Sequence, residues 1–409
     1  MRLFPLSHAR DLPVWKRPEA LLMLMAFAMP VAFATWSALL NNFTIEVASF
    51  DGKDIGWLHT VREVPGFLAV GVIAIIIFVR EQVLALISLV LLGVATALTA
   101  QFPSLTGLLT ITMLSSIGFH YYETVNQSLQ LQWLPKDRAP RMLGILLSVG
   151  AGATLLAYGA IVVTWRAFDL SYDLVYWLSG GFTALVAVAA FFLYPQFESP
   201  NPQIKRMILR RRYWLYYLLQ FMSGARRQIF VVFAGFMMVE RYGLDVHQVT
   251  MLFMATLTIN MVSAPLVGRA VGHFGERAAL MIEYGGLACV FLLYAGLYVF
   301  DWAVAVACAL YMVNNIFFSL ALAIKTYFQK IASPGDIAPT AAVAFTINHI
   351  AAVFLPAGLG YLWLTSPVSV YLLAAAMAAI SFGLSTLVPR HPEDGYETTL
   401  AAPLVRPAE

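Results

Sequence analysis

The sequence predicts an all-α integral membrane protein of twelve transmembrane helices, arranged as two parallel-repeat six-helix bundles. Three observations lead there. Of 409 residues, 60% are hydrophobic and 11% charged, against about 45–50% and about 25% in soluble domains. Twelve stretches reach the roughly 20 mostly apolar residues that a bilayer core requires of a helix. A short pattern also recurs half a chain later.

Half the usual charge cannot coat a folded surface in water. This excludes a soluble enzyme, a disordered chain and a secreted disulfide scaffold. The net charge of +3 is too small to point to nucleic acid. The two cysteines, Cys289 and Cys308, lie in apolar runs, so neither a disulfide framework nor a metal site is expected. No catalytic motif and no nucleotide-binding loop is visible, so neither enzyme activity nor a cofactor is expected, and an energised transporter of this build would use a gradient.

The predicted spans are 19–42, 55–79, 82–101, 105–133, 141–165, 174–194, 213–240, 247–270, 278–300, 302–331, 339–364 and 367–388. They divide the chain into an N-terminal bundle (1–194), a central loop (195–212), a C-terminal bundle (213–388) and a tail (389–409). The first span is too long for a signal-peptide core and is expected to be retained. Lys and Arg fix the orientation. Eighteen loop cations fall on one side and three, Lys53, Arg166 and Arg241, on the other. Both termini and the central loop are therefore expected in the cytoplasm, with the chain in the cytoplasmic (inner) membrane.

The repeat is P-x-D-x-A-P. It reads Pro135-Lys136-Asp137-Arg138-Ala139-Pro140 after the fourth span and Pro334-Gly335-Asp336-Ile337-Ala338-Pro339 after the tenth. The offset from Pro135 to Pro334 is 199 residues. A second echo, Thr60-Val61-Arg62-Glu63-Val64 against Thr258-Ile259-Asn260-Met261-Val262, has an offset of 198. Each copy holds an even number of spans, so the copies share one orientation about an axis along the membrane normal.

Twelve spans, two parallel halves and a basic central loop resemble the major facilitator superfamily. That family carries a G-x-x-x-D-x-x-G-R-[KR] motif after helices 2 and 8. The second copy here runs from Gly268 to Arg277, keeping Gly268, Gly275 and Arg277 but with Gly272 at the acidic position. The first copy keeps only Gly71 and Arg80. The missing acid puts in doubt the cytoplasmic contact that these loops make in the family. The family's Gly-Pro antiporter signature is absent from 144–163. The resemblance implies two halves that rock about a central site, with helices 3, 6, 9 and 12 peripheral.

The polar residues sort the same way. Spans 3, 6 and 12 carry no charge or amide in their interiors, and span 9 carries only Glu283, near its cytoplasmic end. In span 4, His120, Glu123, Gln127 and Gln130 follow steps of three, four and three, so they share a helix face. A carboxylate there can load and release a proton, and His120 can share it. Glu123, His120, Glu63 and Arg62 are thus candidates for proton coupling. Arg62 and Glu63 point about 100° apart on a helix and need not pair with each other. Arg226 and Arg227 sit near the middle of span 7. One is expected to face a cavity and bind carboxylate or phosphate, the other to meet a carboxylate or a helix end; the alternative is a buried ion pair with Glu123 or Glu63. Asn41, Gln127, Asn260, Asn315, Asn348 and His349 complete the candidate substrate site.

The expected function is secondary transport of a small polar anion or zwitterion by alternating access, coupled to protons or another ion. The expected partners are that solute, the ion and membrane lipids, the chain acting as a monomer without nucleic acid. The alternatives are an exporter of hydrophobic or cationic compounds, or a non-transporting receptor or assembly factor of the same fold.

Overall fold

The computed structural model describes residues 3–68, 71–76, 78–134, 139–198, 209–333 and 336–400. Residues 135–138 of the first P-x-D-x-A-P copy, Pro334 and Gly335 of the second, and most of the central loop lie outside them.

The helices are α1 (Pro18–Glu46), α2 (Gly52–Phe67), α3 (Gly71–Ile75), α4 (Glu81–Leu98), α5 (Leu105–Trp133), α6 (Ala139–Thr164) and α7 (Tyr172–Leu193). They continue with α8 (Trp214–Ile229), α9 (Gly235–Glu240), α10 (Val246–Val299), α11 (Val304–Ser319), α12 (Leu322–Ile331), α13 (Ile337–Thr365) and α14 (Pro367–Ser385). Each predicted span falls on helix among the described residues, span 2 as α2 and α3. Span 7 is α8 and α9 joined by a π-helical turn, Phe230–Ala234, and span 10 is α11 followed by α12. Spans 8 and 9 form one run, α10, broken at Gly275 with φ 80° and ψ 165°. Eight helices among the described residues are long and apolar enough on their own to cross a membrane. The difference from twelve follows from the division of span 2 into the short α2 and α3, the break in span 7, the merger in α10 and the polar stripe of α5.

Local signals set the helix starts. Asp245 Oδ1 accepts from the Gln248 N–H at 2.9 Å, and Gln248 Oε1 accepts from the Asp245 N–H at 3.0 Å, a reciprocal cap on α10. Asp51 and Asp54 make the same exchange at α2, at 2.9 and 3.4 Å. Ser104, Ser171 and Ser366 cap α5, α7 and α14 with their hydroxyls.

The chain forms two compact units. Unit 1 comprises Met1–Phe50, Val61–Ile204 and Leu244–Met254; unit 2 comprises Asp51–Thr60, Lys205–Gly243 and Ala255–Glu409. Each unit thus holds a short piece from the other half of the chain. In unit 1 the start of α10 is held by Arg166, which donates to Asp245 Oδ2, and by Asn42, which donates to the Leu244 carbonyl at 2.7 Å. In unit 2 the first turns of α2 lie on α13. There a Cβ on Gly360 would stand 2.9 Å from the Lys53 Cα, and the Ala357 N–H donates to Thr60 Oγ1 at 3.1 Å.

The duplication is visible in the packing. In unit 1, α1 packs on α6 and α7; in unit 2, α8 packs on their repeat equivalents, α13 and α14. In unit 1, α4 packs on α5 and α7, where a Cβ on Gly118 would stand 2.7 Å from the Ser88 carbonyl. In unit 2, the second part of α10 meets α11 through Gly286 and Phe317, and α14 through Gly285 and Phe382. Ser88 and Gly286 are 198 residues apart, the offset of the sequence echo.

Two ties at the loop ends were not anticipated. Leu3–Phe4 and Gln196–Phe197 form a two-stranded parallel ladder, β1 and β2, and Gln82 holds β2 by two hydrogen bonds of 2.9 Å. In unit 2, Arg210 grips both oxygens of Asp336 at 2.9 and 3.0 Å. Arg212 reaches Asp394 at 2.7 Å and Glu397 at 3.3 Å, binding the 391–400 segment to the foot of α8. The Arg210 hydrogen bonds hold the Asp336 carboxyl below its ordinary value, and those from Ser333 and Arg212 do the same for Asp394.

Candidate functional site

In unit 1 the polar residues gather around α5. Arg62 and Glu63, whose directions on the helix do not require it, do pair. Arg62 donates from Nε at 3.1 Å and from Nη2 at 2.5 Å to one Glu63 oxygen. The long arginine side chain folds back over its neighbour, so the backbone angle does not decide. The guanidinium also stands 5.8 Å from the Trp36 ring. One turn before His120, the Ser116 hydroxyl donates to the Arg62 carbonyl and lies 3.2 Å from His120 Nδ1. The ligand atoms of Glu63 and His120 lie within 4.8 Å of each other, and both residues are buried.

The rest of the α5 stripe opens gradually. Glu123 and Gln130 are half-buried and Gln127 is exposed. Below it lies a network that the sequence did not mark. Glu81 accepts from Ser128 at 2.8 Å and from Gln132 at 2.6 Å. The four-residue spacing of Ser128 and Gln132 was the available signal. Asn41 is buried, and its Oδ1 has no hydrogen-bond partner among the described residues.

In unit 2 the two adjacent arginines part company. Gly224 lets α8 approach α13, because a Cβ there would meet Asn348 side-chain atoms at 2.9 Å. Three residues on, Arg227 is exposed and donates to Asn348 Oδ1 at 3.0 Å, while Asn348 Nδ2 donates to the Gln220 carbonyl at 3.1 Å. Arg226 has no exposed surface. Its Nη2 stands 3.7 Å from Glu283 Oε1, its Nη1 donates to Ser381 Oγ, and its head lies 4.4 Å from the Tyr284 ring. Its partner is therefore Glu283, not Glu123 or Glu63. In this structure Arg226 is closed off from solvent, and of the two arginines Arg227 is the exposed one.

The remaining amides are more local. Asn315 donates to the Tyr311 carbonyl at 2.9 Å, one turn back on α11. Asn260 is half-buried, and its Oδ1 has no hydrogen-bond partner among the described residues. His349 is buried, with Nδ1 2.8 Å from the Phe345 carbonyl. Of the loop motif, Gly275 takes a positive φ of 80°, which explains the glycine. Gly268 is helical and open, with nothing within 4 Å of an added Cβ. Arg277 is half-buried. The next acid, Glu276, is buried and pairs with Lys330 at 2.7 Å.

Two units of one repeated helical plan, with eight helices among the described residues long and apolar enough to cross a membrane, have the form of a multi-pass membrane transporter rather than an enzyme. The chain matches the Major Facilitator Superfamily over residues 20–356 and belongs to it. Among curated proteins, none matches it by sequence. Solved structures share the fold. The crystal structure of nucleoside transporter NupG is 13% identical, with a TM-score of 0.72, covering 90% of this chain and 98% of that one. A D-xylose-proton symporter is 12% identical, with a TM-score of 0.71, covering 91% and 97%. A bacterial homologue of the human lysosomal transporter Spinster, inward-facing and occupied, is 12% identical, with a TM-score of 0.69, covering 90% and 95%.

Proposed function

We propose that this chain moves a small polar solute carrying negative charge across the cytoplasmic membrane, driven by protons, with both termini in the cytoplasm. The observation that carries the reading is Arg227, exposed on α8 and held by Asn348 of α13. It lies 13 residues past the start of α8 at Trp214, roughly 20 Å along the axis. A guanidinium at such a depth is costly against lipid, so its exposed face belongs to a water-filled cavity. Arginine stays charged there and presents a fork suited to carboxylate or phosphate.

Arg227 binds the anionic group of the solute in this reading, with Asn348 fixing its direction. Within unit 1, Glu123 with His120, Glu63 and Arg62 carries the coupling proton. The Lys and Arg distribution supports the orientation. Among the similar structures, the xylose transporter is described as a proton symporter.

Ligand-dependent thermal unfolding of the purified chain in detergent tests this. Small anions, zwitterions and lipophilic cations are screened at two pH values, on wild type and Arg227→Ala. A ligand at about 100 times its Kd adds about 2.7 kcal/mol to the folded state. Stabilisation by anions that Arg227→Ala loses is the expected result. Stabilisation only by lipophilic cations, with Arg227→Ala responding as wild type, makes the chain an exporter of cations and sinks the reading.

A further inference from the structure

The pair formed by Arg226 and Glu283 has no role in the solute site proposed above, and the fold does not require it. Both residues have no exposure. Their closest approach is 3.7 Å, longer than a hydrogen bond. Among the described residues, both Glu283 oxygens and Arg226 Nε have no hydrogen-bond partner.

The internal repeat shows what the same place looks like without charge. In unit 1 the Thr183 hydroxyl donates to the Ala28 carbonyl at 2.8 Å, joining α7 to α1. In unit 2 the Ser381 hydroxyl meets Arg226, joining α14 to α8. Thr183 to Ser381 and Ala28 to Arg226 are both steps of 198 residues, the offset of the sequence echo. At that offset Glu283 corresponds to Ala85, and Ala28 and Ala85 both have no exposure. One copy of the fold fills these positions with two alanines. The other places a guanidinium and a carboxyl there. A buried ion pair is commonly no more stable than well-packed apolar groups, so packing alone gives no reason for the exchange.

The two residues after Tyr284 on α10 are glycines packed against aromatic rings. Against this stretch of α10, α11 brings Phe317 to Gly286 and α14 brings Phe382 to Gly285. Among the described residues, the charged or titratable groups that interact with Glu283 are Arg226 from α8 and Tyr284 from its own helix. Four residues after Arg226 the helix passes into the π-helical turn Phe230–Ala234, an irregularity frequent at functional sites. Phe230 of that turn packs on Tyr311 and Phe318 of α11, just before span 10 breaks between Ser319 and Leu322. The pair therefore sits beside helices that depart from regular geometry.

We propose that Glu283 and Arg226 form a second proton-binding site inside unit 2, separate from the polar stripe of α5. Glu283 takes up a proton as the carboxyl leaves Arg226, and releases it as the pair closes. Arg226 stays charged throughout, keeping Ser381 and the Tyr284 face, so the pair's net charge changes from zero to plus one. The role of the site in coupling rests on the reading of the chain as a proton-driven transporter. The binding of the proton does not.

Infrared difference spectroscopy of the purified full chain, stepped from alkaline to acid pH without solute or gradient, tests the proposal. The carbonyl stretch of a protonated carboxyl is expected in the wild type, lost in Glu283→Gln and retained in Glu123→Gln and Glu63→Gln. The double variant Arg226→Ala/Glu283→Ala, which copies the alanines of unit 1, is expected to fold and to lack the band. It decides the matter if Glu283→Gln does not fold. A full set of carboxyl bands in either Glu283 variant overturns the site. Loss of the band together with solute flux indifferent to a proton gradient leaves the site standing and removes proton coupling instead.

Discussion

Replacing Gly275 by alanine should destabilise the chain by about 1–3 kcal/mol, the cost of holding a non-glycine residue in a backbone region open essentially to glycine alone. Gly275 has φ 80° and ψ 165°, and the long helical run from Val246 to Val299 breaks there. Space is not the obstacle. The nearest atom to an added Cβ is the Arg390 carbonyl oxygen, 3.9 Å away. The loss is therefore conformational, and asparagine, which tolerates the left-handed helical region but not this one, should not rescue it. Gly272 lies three residues earlier in the same motif, inside the helix, with nothing within 4 Å of an added Cβ. Gly272→Ala should gain up to about 1 kcal/mol from helix propensity. Thermal unfolding of both variants in one detergent reads a difference in sign. If Gly275→Ala unfolds at or above the wild-type midpoint, the break is not held by that backbone conformation and the reasoning fails.

Three further outcomes follow from the geometry. Asp245→Ala should cost about 1 kcal/mol by uncapping α10, whereas Asp245→Asn, an equally good cap, should stay near wild type in thermal unfolding although it loses the Arg166 charge. Equal losses in the two variants would assign the effect to the ion pair. At a pH alkaline enough to keep Glu283 ionised, Arg226→Ala alone should cost about 3–5 kcal/mol by leaving a buried carboxylate unpaired, and adding Glu283→Ala should recover part of it. A double variant less stable than the single would show that the pair does not set the energetics. For pH, the Arg210 hydrogen bonds hold Asp336 below its ordinary value. A depressed folded value means stability that is complete above the ordinary Asp value of about 3.9 and is lost as the pH falls below it. Thermal midpoints against pH should show this acid limb, and Asp336→Asn should flatten it.

The twelve spans were legible because each needs a long apolar stretch, and hydropathy reports that without any tertiary information. The polar stripe of α5 was legible for a similar reason, since residues three and four apart share a helix face whatever the helix meets. The 198-residue echo gave the repeat, and with it the plan in which α8 meets α13 and α14 as α1 meets α6 and α7. Lost to the sequence were the breaks inside spans. The π-helical turn after Arg226 and the interruption between Ser319 and Leu322 carry no proline or glycine to announce them.

Hydropathy, helical period and the repeat thus determined by themselves how many membrane spans there are, which are polar and how the two copies are related. Only the tertiary structure decided between Arg226 and Arg227. The two arginines are identical in side chain and adjacent in sequence, and their directions differ by about 100° around α8. Which direction is core depends on what lies across from it. Glu283, Tyr284 and Ser381 lie across from Arg226 and seal it in, while Asn348 takes Arg227 at an exposed face. Those partners come from α10, α14 and α13, between 57 and 155 residues further along the chain. A local pattern holds no record of contacts made at that distance.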